Sequence, residues 1–127
     1  MLGIINTDSI SDLKKYVCEF RDKRDWKQYH KPKDLAISIT IEAAELLELF
    51  QWLRDDEINE LLRKPKFIRK VAEEMSDIMI YLLLLADVLN IDLGKSVVTK
   101  MKMNEEKFPV EQVKGSKAKI RLLEKYN

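Results

Sequence analysis

The chain has one cysteine and one histidine among 127 residues, which narrows its chemistry at once. Cys18 has no partner for an intramolecular disulfide. It also lacks a second histidine or an evident activating group. His30 cannot supply the two Glu-x-x-His motifs of a di-iron carboxylate bundle. Its neighbours offer no Ser–His–Asp or Cys–His arrangement, which argues against covalent catalysis. Glycine and proline are scarce, at three each. With turn-formers rare and Leu, Glu and Lys abundant, the composition favours helices over strands. Residues 1–8 lack the basic and apolar regions of a signal peptide. The longest apolar run, residues 78–86, is about half the ~18 residues of a membrane span. A net charge of +1 gives no electrostatic reason to expect a nucleic-acid or membrane surface. A cytoplasmic location is the default expectation.

What is present is helical periodicity. Thr7 or Asp8 is placed to cap a first helix running to about Arg24, with Ile10, Leu13, Val17 and Phe20 at three-to-four spacing. The period breaks over residues 25–33, where Pro32 disfavours helix just before it. Further helices are expected over about 33–54, 66–90 and 92–107, with a short polar one within 55–64. The expected fold is all-α: a bundle of four main helices over residues 1–110, followed by a charged tail over 111–127. The second and third main helices are apolar on more than one side. Such helices are central, or they turn a face to another subunit, so a homo-oligomer (dimer or tetramer) is expected.

Those two helices also carry acids at matched spacing. Glu42 and Glu45 lie three apart in one, Glu74 and Asp77 three apart in the other. At that spacing two side chains stand about 60° apart on one helix face. Four carboxylates facing one another repel and lose hydration, which protonation, a Lys or Arg, or a metal ion relieves. An all-oxygen donor set suits Mg²⁺ or Mn²⁺ rather than structural zinc. Spacing alone leaves the other reading open, in which the acids form solvated stripes paired with nearby basic residues. Glu48 and Glu73 are expected to be solvated.

Glu42-Ala-Ala-Glu45 followed by Glu74-Met-Ser-Asp77 resembles the signature of the MazG-like all-α nucleotide pyrophosphohydrolases. The resemblance extends through Arg24-Asp25-Trp26, Tyr29-His30, Phe50-Gln51-Trp52, Asp77 to Tyr81, and Lys100 to Asn104, Lys107 and Phe108-Pro109. These stretches look like the branch that contains the dCTP pyrophosphatases. The resemblance implies hydrolysis of a nucleoside triphosphate, with a pyrimidine dNTP such as dCTP favoured, to the monophosphate and pyrophosphate. It implies Mg²⁺ (or Mn²⁺) on Glu42, Glu45, Glu74 and Asp77, with Glu42 or Glu45 orienting the attacking water or taking its proton. It implies a base enclosed by Trp26 and Trp52, with Tyr81 and Asn104 near the nucleotide and Lys100 and Lys107 near the phosphates. His30, beside Pro32, is a further substrate-side candidate, a structural hydrogen bond being its alternative role. Arg24 and Lys33 are weaker phosphate candidates. One departure bears on base preference: some dCTP-hydrolysing relatives have histidine where this chain has Val17. Two other functions compete, a non-enzymatic helical interaction protein and a phosphoribosyl-ATP pyrophosphohydrolase-like enzyme that shares the acids.

Overall fold

The structure, a computed structural model, describes residues 4–115 and 125–126. The described residues contain helices and turns and no strand. Two units are distinguished, residues 1–91 and 92–127.

In the first unit, α1 (Ile10–Lys23) is followed by a 3-10 turn (Lys27–Tyr29), α2 (Pro32–Glu48), α3 (Asp55–Leu61) and α4 (Pro65–Val88). The cap of α1 is Ser9 rather than Thr7 or Asp8. Its hydroxyl accepts from the Asp12 N–H at 3.1 Å, satisfying a donor that the helix itself leaves unpaired. Pro32 opens α2 at a position where no N–H is needed. Two helices end in the same way. After α1 the Asp25 N–H reaches Asp22 O at 3.1 Å and the Trp26 N–H reaches Arg21 O at 3.2 Å, with Asp25 left-handed at φ 55°. After α4, Asn90 (φ 55°) and Ile91 repeat the pattern against Asp87 O and Ala86 O. Asp and Asn tolerate this conformation better than most non-glycine residues, which is how the chain reverses with so little glycine.

The expected helix over 33–54 is shorter, because α2 stops at Glu48. The reason lies just downstream. The Glu57 carboxylate accepts from the Arg54 N–H at 3.0 Å, and Asp55, Asp56 and Glu57 place negative charge at the positive end of α3. A separate helix start there requires the preceding residues to turn.

Helix α4 packs against both α2 and α1. Their shared core is small: Cys18 from α1, Leu35 from α2 and Leu84 from α4, with Val17, Tyr81, Leu85 and Val88 against them. Burying a residue such as Leu35, 2% exposed, contributes about 2 kcal/mol. One charged side chain lies inside. Arg21 is 3% exposed and holds Asp22 through Nε and Asp87 of α4 through Nη1, each at 2.8 Å. Much apolar surface stays outside, including Ile37, Ile41 and Leu47 on α2 and Met75 and Ile80 on α4. Among the described residues no helix is long and apolar enough to cross a membrane.

The second unit contains α5 (Leu93–Lys107) and α6 (Val110–Val113). Asp92 caps α5 by accepting from the Lys95 N–H at 3.0 Å, close to the expected start. Most of the expected tail, 116–124 and 127, lies outside the described residues.

Candidate functional site

Packing of α2 on α4 brings three of the four expected acids together. Glu42 and Glu45 of α2 and Glu74 of α4 each offer a carboxylate oxygen within 4.8 Å of the other two. Glu74 is 6% exposed, and one oxygen each of Glu42 and Glu74 (Oε2 in both) is buried with no hydrogen-bond partner. The crowding shows in the titration of Glu45. Hydrogen bonding to Glu42 and its like charge, then lost hydration, then Glu74, push the Glu45 carboxyl up to about 7. An oxygen-only donor set with orphaned, mutually repelling atoms is chemically matched to a hard divalent cation. Lys70, one turn before Glu74, brings its ammonium to 3.0 Å from Glu74 Oε1.

Asp77 is not part of that trio. It lines a neighbouring cavity of about 290 Å³ with Val17, Phe20 and Arg21 of α1, Trp26 and His30 of the connection, and Ile80, Tyr81 and Leu84 of α4. The hydrogen-bonded end of α1 carries Trp26 back against Phe20, edge to face at 5.9 Å. Arg24 closes this stack, with its guanidinium 3.6 Å from the Phe20 ring centre, so it serves here as an aromatic partner. The His30 ring is held below its ordinary pKa by burial and then by Arg21, and is neutral near pH 7. Its Nδ1 is buried without a partner, so the alternative structural hydrogen bond is absent at that atom.

The two tryptophans are not brought together. Trp52 follows the early end of α2, stands 85% exposed and does not line the cavity that Trp26 borders. Lys100, Asn104 and Lys107 share one face of α5 in the second unit. There Asn104 Nδ2 lies 3.9 Å from Met101 Sδ, and the Lys107 ammonium 5.5 Å from the Phe108 ring centre. Glu48 and Glu73 are exposed, as expected. Lys33 is exposed as well. Sequence reasoning missed Arg21 and Lys70. Arg21 sits four residues after Val17 on the apolar stripe of α1, and Lys70 four before Glu74. Both offsets were visible signals.

Comparison with known proteins now has a geometry to meet. The MazG-like family matches residues 37–123, which include all four acids and most of the chain. The chain belongs to the MazG-like family. The MazG-like chain is 38% identical over 111 residues to dCTP pyrophosphatase 1 of Rattus norvegicus and 35% identical over 111 residues to that of Homo sapiens. These alignments cover 87% of this chain and 65% of each relative, so it spans about two-thirds of their length. A solved pyrophosphatase from Archaeoglobus fulgidus superposes with a TM-score of 0.73 at 45% identity, covering 86% of this chain and 99% of that one.

A pH prediction for this MazG-like chain follows from Glu45. A carboxyl raised from 4.5 to about 7 on folding binds its proton more tightly in the folded state. Its contribution to stability is fully present below 4.5 and is lost as pH rises through about 7. The metal-free melting temperature is therefore expected to fall between pH 5.5 and 8, and excess Mg²⁺ to flatten that slope. A slope indifferent to Mg²⁺ would contradict this account of the trio.

Proposed function

We propose that this chain hydrolyses a nucleoside triphosphate to the monophosphate and pyrophosphate, with a pyrimidine deoxynucleotide such as dCTP as the favoured substrate. The observation that carries the reading is the carboxylate trio of Glu42, Glu45 and Glu74, in which one oxygen each of Glu42 and Glu74 is buried without a partner. It continues along α4, one turn on, to Asp77 in the wall of an aromatic cavity. The relatives' names, dCTP pyrophosphatase 1 and a pyrophosphatase, support the same class of reaction.

A triphosphate carries about four negative charges, so it meets a cluster of carboxylates only across a cation. Mg²⁺ or Mn²⁺ is the proposed ion, with Glu42, Glu45 and Glu74 as its holders and Asp77 as the fourth acid. When bound, it supplies Lewis-acid polarisation of a phosphoryl oxygen and charge balance for departing pyrophosphate. The protein's own groups do the rest. Glu42 or Glu45 is the proposed group to orient the attacking water or take its proton. Trp26, Phe20 and Tyr81 give the cavity aromatic walls suited to a base, and Arg21 and His30 belong to the same wall. A volume near 290 Å³ is at the small end for ligand pockets, roughly 300–1,000 Å³, and has room for a base. Lys100, Asn104 and Lys107 remain our candidates for contact with phosphate. We also propose that the chain self-associates through the exposed apolar residues of α2 and α4, with Trp52 enclosed only in the assembly.

The test is a panel of the common NTPs and dNTPs, each with and without Mg²⁺, read by pyrophosphate release. At least one pyrimidine deoxynucleotide is expected to be cleaved, and only with the metal. Orthophosphate as the product, or no turnover across the panel, would overturn the reading.

A further inference from the structure

We infer that Lys70 is an internal counter-cation of the acidic cluster, one that a divalent ion must displace and that thereby sets the affinity of the site for free metal. The inference rests on reading Glu42, Glu45 and Glu74 as a metal centre. Lys70–Glu74 is an ion pair made directly to this trio. It is made to the most enclosed of the three acids, at 3.0 Å, on the oxygen beside the orphaned Oε2.

Helix energetics do not account for the pair. With the cation four residues before the anion, the order is the less favourable one for helix stability. The charge balance does account for it. One ammonium offsets part of the negative charge of three carboxylates, which leaves the trio under-compensated and receptive to a dication. Lys70 is also built to leave. Its side chain is 54% exposed, and Glu73, 68% exposed, already lies 3.8 Å from the same ammonium. The ammonium therefore has a second anion to fall back on when Glu74 is taken.

The experiment is a Mn²⁺ titration of the nucleotide-free full chain, read by the paramagnetic signal of free Mn²⁺, so that no turnover enters. The wild type is compared with Lys70→Met, Lys70→Arg and Glu74→Gln. Lys70→Met is expected to bind Mn²⁺ roughly two- to fivefold more tightly, the size of a half-exposed ion pair. Lys70→Arg, which keeps the charge, is expected to return towards wild-type affinity. In the absence of metal, Lys70→Met is expected to melt lower at pH 8, a difference that Mn²⁺ erases. Unchanged or weaker binding by Lys70→Met, with the wild type binding normally and Glu74→Gln binding poorly, would overturn the role of Lys70 and leave the metal centre standing. No binding by the wild type, or full binding by Glu74→Gln, would take down the metal centre and this inference together.

Discussion

Glu45→Gln is expected to lower pyrophosphate release by more than about a hundredfold, since even partners behind metal ligands cost 10–100-fold when lost. The substitution keeps the shape of the side chain and removes one negative charge and one basic oxygen. The same change relieves the repulsion that pushes Glu45 up to about 7. The metal-free variant should therefore melt no lower than the wild type at pH 8, and its pH slope between 5.5 and 8 should shrink. Loss of turnover without loss of stability is what separates a functional acid from a structural one. Asp77→Asn is expected to share the loss of turnover, although Asp77 stands outside the trio in the wall of the cavity. Full activity in both variants would mean that the acids are not the catalytic centre.

The second large effect concerns folding. Asp87→Ala is expected to destabilise the chain by about 3–5 kcal/mol, because it strands the 3%-exposed Arg21 guanidinium with one of its two carboxylates. Asp22→Ala removes the other, whose side chain is 55% exposed, and should cost within about 1 kcal/mol. Denaturant melts of the two variants measure the contrast. Equal effects would mean that burial does not set the strength of this network. Burial pushes the Asp87 carboxyl up, but the hydrogen bond and charge of Arg21 outweigh it and hold it below its ordinary 3.8. Its contribution to stability is accordingly present above 3.8 and disappears as pH falls through the lowered value.

The helices and the trio were legible because their signals are local. Apolar spacing set the number of main helices, and two Glu residues three apart inside an apolar helix marked Glu42 and Glu45. The fate of Asp77 was not local. Glu74 and Asp77 are about 60° apart around α4, and α4 packs on α2 along one side and on α1 along another. That angle is enough to send Glu74 to the acids of α2 and Asp77 to the cavity beside α1. Only the packing of three helices decides this. The place of Trp52 beyond the end of α2 was hidden for a related reason. The end of α2 at Glu48 depends on the acids at the start of α3, whereas the apolar pattern continues past it. Arg21 is an extreme case: its place on the apolar stripe of α1 was visible, but the partner that lets it be buried was not. Its burial depends on Asp87, 66 residues later.

The hydrogen bond from the Trp26 amide to Arg21 O makes the indole a continuation of α1 rather than the tip of a loose connection. Its ring is thereby carried by the same helix that supplies Phe20 and Arg21 to the cavity. On the proposed reading, a base that entered there would meet walls tied to α1, and little conformational entropy would be lost on binding. Under that proposal, discrimination between bases would rest on the shape and polarity of those side chains, and retuning it would require changing them rather than loosening a flap.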